Sequence, residues 1–332
     1  DIVHPLNHVN MSQSTNDVYP TAIRITLSKL LDELMVNMTI LQRSLASKGK
    51  EFADVIKMGR TQLQDAVPMT LGQEFEAYSI MVAEDIERVR EAQALIREIN
   101  MGATAIGTGL NAHPDYARLV TANLRRLTGI PVKEAQNLVE ATQDAGAYVQ
   151  LAGVLKRLAS KISKVCNDLR LLSSGPRAGL SEINLPAMAP GSTIMPGKVN
   201  PVIPEVVNQV AFEVIGNDVT VTMAAAGGQL ELNVFEPVIA FNLFRSIDML
   251  GRAYRTLAER CVDGITANKE HCRRMVERSI GLVTALNPYI GYEKSTQIAN
   301  EAMASGRSVY EIVLEKGYLS PEVLEEILSP EN

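Results

Sequence analysis

Several residue types and sequence features are scarce in this chain, and each scarcity excludes one class of protein. Tryptophan is absent, and aromatic residues make up only 5% of the 332 residues. No unbroken apolar run reaches the roughly 20 residues that a membrane-spanning helix needs, so no span is predicted. Basic residues are not in excess, and a net charge of -6 gives the chain no electrostatic reason to bind nucleic acid.

Cysteine is also scarce, and its pattern argues against disulfide-rich and zinc-binding proteins. The three cysteines, Cys166, Cys261 and Cys272, are an odd number without paired metal-ligand spacing. This usage is typical of a reducing compartment, and we expect a cytoplasmic protein. No group of His, Cys and carboxylate residues has the spacing of metal ligands, so no metal site is predicted. His4 and His8 are interpreted as structural hydrogen-bonding residues.

One glycine-rich segment, residues 102–109, raises the question of a nucleotide cofactor. The sequence around it lacks the order of strand, turn and helix that marks a dinucleotide-binding fingerprint. We therefore predict no cofactor-binding residues here. The segment is expected to be a tight connection between helices or part of a pocket floor.

Helix-forming sequence is abundant. Ala, Leu, Glu, Ile and Met dominate long stretches with few helix breakers. From Tyr148 to Leu172 apolar residues recur in alternating steps of three and four, as in the seam of a coiled coil. The sequence therefore predicts an all-α fold built on a bundle of about five long helices. Their expected ranges are 21–45, 71–99, 148–172, 202–226 and 235–261.

The pattern changes after Gly264, where shorter helices are broken by glycine and proline. We predict a central helical-bundle domain over residues 1–263 and a small C-terminal helical domain over residues 264–332. Apolar residues lie on several faces of residues 202–226, which favours burial in an oligomer. The chain begins with Asp1 rather than Met, and we expect a fragment whose N-terminal domain is missing.

A polar loop separates two of the predicted helices. It reads Gly-Ser-Thr-Ile-Met-Pro-Gly-Lys-Val-Asn-Pro over residues 191–201 and carries the hydroxyl of Ser192, the ammonium of Lys198 and the carboxamide of Asn200. Its glycines permit the backbone changes of opening and closing, so we interpret it as a mobile catalytic loop for an anionic substrate. Taken alone, it is equally consistent with an ordinary polar loop that faces water.

Two further polar clusters occupy residues 8–16 and 59–65. Ser14, Thr15 and Asn16 come just before a predicted helix, where they either cap the helix or also hold a carboxylate. Thr61 and Gln62 precede a helix expected to start near Pro68, and a plain turn is as consistent with them as an anion site.

Residues 191–201 resemble the signature loop of the aspartase/fumarase superfamily. Residues 8–17 and 59–68 are similar to two further signature segments of that superfamily, in the expected order, and the resemblance runs across essentially the whole chain. Gln62 stands where class II fumarases typically carry His, and residues 171–179 and 201–210 also favour the ammonia-lyase branch, which acts on aspartate. The amide oxygen of Gln62 can accept a hydrogen bond here, but Gln62 cannot act as a base because an amide does not titrate.

The resemblance implies a homotetramer around a central helical bundle, with each active site built by three subunits. It also implies a Gly-Thr-Ser substrate-binding segment upstream of residue 8, which this sequence does not contain. No cofactor is implied, and activation by a divalent cation such as Mg2+ is left open.

The implied reaction is the reversible anti-elimination of ammonia from L-aspartate to give fumarate. Ser192 is the implied base that removes the C3 proton, and Lys198 is a second catalytic candidate. The remaining implied roles are substrate contacts: Ser14, Thr15 and Thr193 at the β-carboxylate, Thr61, Lys198 and Asn200 at the α-carboxylate, and Asn16 and Gln62 at the amino group.

Two alternatives stay open at this point. A class II fumarate hydratase would use the same carboxylate contacts but expel water, and Gln62 argues against it. A catalytically inactive, truncated family member would act only as an oligomeric scaffold. Argininosuccinate and adenylosuccinate lyases fit the flanking segments poorly.

Overall fold

A computed structural model of the chain describes residues 2–189, 191, 194, 195 and 197–327. Helices dominate this part of the chain, after a short π-type turn at Pro5–Val9. The elements in chain order are α1 (Thr15–Glu51), β1 (Ile56–Thr61), β2 (Gln64–Thr70), α2 (Leu71–Ile96), β3 (Glu98–Ile99), α3 (Tyr116–Thr128), β4 (Lys133–Glu134), α4 (Leu138–Gln143), α5 (Gly146–Leu172), β5 (Ile183–Asn184), α6 (Val202–Ala226), α7 (Glu236–Arg260), β6 (Thr266–Ala267), α8 (Lys269–Arg278), α9 (Leu282–Ile290), α10 (Tyr292–Ser305), α11 (Val309–Glu315) and α12 (Pro321–Ile327).

The predicted long helices are present as α1, α2, α5, α6 and α7. Their apolar stripes are buried as the spacing predicts: in α5, residues from Tyr148 to Leu172 at steps of three and four are at most 5% exposed. In the second predicted helix, residues 71–99, the apolar residues Leu71, Phe75, Tyr78, Val82, Ile86, Val89, Ile96 and Ile99 are likewise buried. Ile99 lies in β3, because α2 ends at Ile96.

The first helix begins six residues earlier than predicted and runs through Pro20. A proline inside a helix has no N–H, so the carbonyl of Asn16, four residues earlier, lacks its helical donor. Asn100 supplies the missing donor, since its Nδ2 lies 3.0 Å from that carbonyl oxygen. A side chain far away in the sequence therefore makes the proline tolerable.

The all-α prediction needs one correction, because short strands are present in the described residues. Strands β1 and β2 form an antiparallel hairpin with an irregularity between Met58 and Arg60, while β3 pairs with β4 in parallel and β5 with β6 antiparallel. Helix α2 starts at Leu71, so Thr61 and Gln62 lie at a hairpin tip and not at a helix N-terminus. The helix starts three residues after Pro68, and of the two alternatives left open for Thr61 and Gln62 the plain turn describes the local geometry.

The chain divides into two compact units, each made of three segments. The first comprises Asp1–Ile40, Val82–Lys164 and Glu205–Thr256, and the second comprises Leu41–Met81, Val165–Pro204 and Leu257–Asn332. All described residues from 264 onward belong to the second unit, together with two earlier segments. The predicted domain boundary at residue 263 stays a prediction.

Each unit has its own apolar packing. In the first unit Ile99, Met101, Ile130 and Val132 form a buried cluster beneath α3. In the second unit Met58 of the hairpin packs with apolar residues of α8 to α12. Within the described residues no helix is long and apolar enough to cross a membrane.

Candidate active site

Ser14, Thr15 and Asn16 lie at the start of α1 in the first unit. Ser14 Oγ accepts a hydrogen bond from the Asn16 N–H at 3.2 Å, and Asp17 Oδ1 accepts one from the Ser14 N–H at 3.0 Å. This reciprocal pair is a capping box, so the capping interpretation describes the local geometry correctly. The Ser14 hydroxyl hydrogen is not used in this pair, and it remains available for a carboxylate.

Asp17 also reaches the glycine-rich segment. Its carboxylate is fully buried, and Oδ2 accepts backbone hydrogen bonds from Gly102 at 3.2 Å and Thr104 at 3.0 Å. The segment lies between the short strand β3 and helix α3, contrary to the context expected from the sequence. Its two backbone amides thus hold an anion, and that anion is a side chain of the protein itself.

The Asn16 carboxamide has a defined orientation. Its Nδ2 donates to the carbonyl oxygen of Ala105 at 2.7 Å, and its Oδ1 lies 3.4 Å from the Thr15 hydroxyl, which donates to it. Thr15 is exposed and Asn16 is half-buried. The three predicted substrate contacts of this segment are therefore neighbours that share one small hydrogen-bonded cluster.

Thr61 and Gln62 lie at the tip of the β1–β2 hairpin in the second unit, and both are exposed. Thr61 pairs with Gln64, so Gln62 and Leu63 form the two-residue turn, with φ values of 53° and 62°. These left-handed angles are costly for residues other than glycine, so the turn is held by its surroundings. Gln62 thereby projects from a strained, exposed position.

A buried charge network supports this hairpin. The Glu182 carboxylate, 1% exposed, contacts Arg60 Nη1 at 2.5 Å and Lys57 Nζ at 3.0 Å. Lys57 also contacts Glu74 at 2.5 Å. Because each buried charge has an opposite charge beside it, the network anchors the strand that carries Thr61.

Lys198 and Asn200 also belong to the second unit and are exposed. The Lys198 ammonium makes no ion pair with any of the described residues. Gly191 lies against the Lys198 backbone, which brings the two sides of the loop together. Ser192 and Thr193 lie outside the described residues, so their predicted roles stay predictions.

Two residues that support these segments were not among the predicted site residues. Asp17 stands three residues after Ser14, and this capping-box spacing was a usable signal. Glu182 had no such signal, because its partners come from a distant hairpin. His4 and His8 do act as structural hydrogen-bonding groups, since His8 Nδ1 accepts from the His4 N–H at 2.8 Å.

The described residues contain no group of three or more His, Cys, Asp or Glu side chains that could hold a metal ion. The three cysteines are free and buried. Burial raises the pKa of the Cys261 and Cys272 thiols to about 12, so they stay protonated at neutral pH and unreactive.

The chain belongs to the aspartase/fumarase superfamily of lyases. The sequence model of the family described as "Lyase" matches residues 1–216, and that described as "Fumarase C C-terminus" matches residues 282–332. The aspartate ammonia-lyase of Helicobacter pylori is 64% identical over 329 residues, which are 99% of this chain and 70% of that protein. The aspartate ammonia-lyase of Pseudomonas aeruginosa is 60% identical over 331 residues, again 99% of this chain and 70% of that protein.

Solved structures of the superfamily share the fold. The fumarate lyase:delta crystallin from Brucella melitensis bound to cobalt superposes with a TM-score of 0.95 at 56% identity, over 99% of this chain and 71% of that one. The recombinant class II fumarase from Schistosoma mansoni gives a TM-score of 0.91 at 37% identity, over 99% of this chain and 72% of that one.

Proposed function

We propose that the protein is an aspartate ammonia-lyase, which reversibly eliminates ammonia from L-aspartate to give fumarate. The observation that carries this proposal is the similarity of nearly the whole chain to aspartate ammonia-lyases. Gln62 supports it further, because an amide at the hairpin tip can accept a hydrogen bond from an ammonium group.

In the proposed mechanism Ser192 first removes the proton from C3, and the electrons of the C–H bond collect on the β-carboxylate. These electrons then form the C2=C3 double bond as the bond between C2 and nitrogen breaks and ammonia leaves. A proton beside a carboxylate is weakly acidic, so the site must stabilise the extra negative charge that collects on the β-carboxylate oxygens. A serine hydroxyl is a poor base in water. Lys198, whose ammonium has no ion-pair partner among the described residues, is available to stabilise the Ser192 alkoxide or the substrate.

The substrate contacts follow the chemistry of each side chain. Hydroxyl groups of Ser14, Thr15 and Thr193 would donate to the β-carboxylate. Thr61, Lys198 and Asn200 would hold the α-carboxylate, and Asn16 and Gln62 would accept hydrogen bonds from the ammonium. The unused hydroxyl hydrogen of Ser14 and the fixed carboxamide of Asn16 support these assignments.

We further propose that the protein is a homotetramer in which three subunits contribute to each active site. The support is helix α6, which leaves Phe212, Val219 and Met223 more than half exposed on one chain. Large apolar side chains exposed in a row along a long helix favour burial against other subunits.

The superfamily is generally cofactor-free, and the proposed elimination needs none. A cytoplasmic location is proposed because three cysteines are present as free thiols, as in proteins of reducing compartments.

The decisive experiment mixes the purified protein with L-aspartate and, separately, with L-malate and follows fumarate by its ultraviolet absorbance. Fumarate from aspartate alone is the expected result. Fumarate from malate alone would make the protein a hydratase, and no fumarate from either would favour an inactive scaffold. Repeating the aspartate assay with added Mg2+ and with EDTA tests metal activation.

A further inference from the structure

We propose that Asp17 and residues 102–105 form a clasp that sets the orientation of the Asn16 carboxamide, and that this orientation selects substrates carrying an amino group. Asp17 is then a positioning residue, since it acts through Asn16 and does not itself contact substrate. The inference rests on the proposed function, in which Asn16 faces the substrate ammonium.

The orientation of Asn16 follows from the chemistry of its neighbour. The Ala105 backbone oxygen, 2.7 Å from the Asn16 side chain, can only accept a hydrogen bond. The atom that faces it must therefore be Nδ2, whichever way the amide is first assigned. Oδ1 is left on the other side, where only the Thr15 hydroxyl, at 3.4 Å, is near it among the described contacts.

An acceptor oxygen fixed in this way suits an ammonium group. An ammonium has hydrogen-bond donors only, and its charge makes the bond to a carbonyl oxygen stronger than a neutral one. If the amide turned over, its NH2 group would face the ammonium and repel it. The position of the Ala105 carbonyl therefore decides whether Asn16 attracts or rejects the amino group.

Asp17 holds that carbonyl in place. Its buried carboxylate accepts hydrogen bonds from Ser14 on one oxygen and from Gly102 and Thr104 on the other. The same side chain thus joins the start of α1 to the part of the glycine-rich segment that precedes Ala105. Both oxygens of the Asp17 side chain accept hydrogen bonds, whereas an Asn side chain has a single acceptor oxygen, so the three donors require Asp at this position.

A second connection acts on the backbone of Asn16. Pro20 leaves the Asn16 carbonyl without a helical donor, and the buried Asn100 donates to it at 3.0 Å. Asn100 Nδ2 also lies 3.1 Å from the Thr142 hydroxyl, which limits its movement. Both the side chain and the carbonyl of Asn16 are therefore held by groups outside α1.

The test compares two ligands, L-aspartate and succinate, which carry the same two carboxylates but differ in the amino group. In the Asp17→Asn variant one side of the side chain becomes an NH2 group, which cannot accept from the backbone amides. A lost hydrogen bond to a charged group corresponds to a change of about tenfold or more. We expect the KM for aspartate to rise by about that factor. The factor by which the KM for aspartate rises should be at least about five times the factor by which the inhibition constant of succinate rises.

Two further variants keep the test interpretable. Asp85→Asn removes another buried carboxylate of the first unit, one that pairs with Arg157 and Lys161, and should leave the ratio of the two affinities unchanged. Asn100→Ala removes the hydrogen bond to the Asn16 carbonyl, which holds the backbone but not the side chain of Asn16. It should change the ratio of the aspartate and succinate affinities in the same direction as Asp17→Asn, by a smaller factor.

The proposed role of Asp17 is contradicted if Asp17→Asn lowers the affinities for aspartate and succinate by the same factor, or lowers neither affinity. A wild-type protein that releases no fumarate from aspartate overturns the proposed function instead. In that case calorimetric binding of aspartate and succinate to the wild type and to Asp17→Asn decides the clasp independently of turnover.

Discussion

Gly191 lies so close to the backbone of Lys198 that a Cβ at residue 191 would be 1.6 Å from the Lys198 carbonyl oxygen. No side chain fits there, because this distance is far below van der Waals contact. The approach joins the two sides of the loop that carries the proposed base. We therefore expect the loop to depend on glycine at residue 191.

The Gly191→Ala variant should lose activity with little change in stability. Pushing the backbone at Lys198 aside misplaces its ammonium, and displacements of about 1 Å can cost on the order of a hundredfold in rate. The measurement is kcat/KM for aspartate together with the thermal unfolding midpoint. In the matched control, Gly153→Ala, a Cβ in α5 would meet no atom within 4 Å, so activity should stay normal and the midpoint should rise slightly.

The Ser192→Ala variant should abolish turnover, because the alanine methyl group cannot take a proton from C3. General-base removal typically costs about 10^2 to 10^4 in kcat. Light scattering should find the same oligomer as in the wild type. Ser305→Ala, which changes an exposed serine of the second unit, serves as the control, and near-normal ammonia release by Ser192→Ala would show that another group is the base.

The Glu182→Gln variant should be strongly destabilised. It leaves the buried Lys57 and the nearby Arg60 without the carboxylate that both contact. Breaking one side of a buried ion pair lowers the free energy of unfolding by about 3 to 5 kcal/mol. Urea denaturation measures this, and Asp248→Asn, which breaks an exposed pair with Arg252, should change it by less than about 0.5 kcal/mol. Equal effects of the two variants would contradict the supporting role of Glu182.

Glu236 should make stability fall as the pH rises through neutrality. Burial raises the pKa of Glu236 to about 7, partly opposed by Arg24. Because the pKa of Glu236 is higher in the folded state, its protonation stabilises the folded protein. This stabilisation is complete at pH values below the pKa of Glu in the unfolded chain and is lost as the pH rises through about 7. In Glu236→Gln that loss is absent, so the variant should gain stability relative to the wild type between pH 5 and pH 8. Thermal unfolding at both values tests this, and a constant difference would contradict it.

The Phe212→Asp variant should dissociate the proposed tetramer. Phe212 is 63% exposed on the single chain, and a carboxylate there would be buried without a partner if α6 packs against other subunits. Light scattering after size-exclusion chromatography should show a lower mass. Tyr292→Asp, which changes a 77% exposed residue in α10, is the control, and an unchanged mass of Phe212→Asp would place the interface elsewhere.

The long helices were predictable because their signal is local. Steps of three and four between apolar residues define a buried face within a single helix, and in α5 every member of that face is buried. The signature segments are likewise readable from residue types alone. The sequence by itself therefore determined the helical class and the family.

The features that the sequence did not predict correctly share a different cause, because they depend on residues far apart in the chain or on a turn without typical turn residues. The helix expected over residues 21–45 begins instead at Thr15 and includes Pro20, because Asn100, 84 residues from Asn16, donates to the Asn16 carbonyl that the proline leaves without a helical donor. Gln62 and Leu63 are not typical turn residues, so the hairpin tip had no local signature.

Tertiary structure alone decided which groups hold the site segments in place. The capping box of Asp17 is visible in the sequence, but its contacts with Gly102 and Thr104 span more than 80 residues. The partners of Glu182 are similarly remote. Local periodicity reports which face of an element is buried, whereas the pairing of buried polar groups depends on which distant segments meet there, and desolvation makes that pairing obligatory.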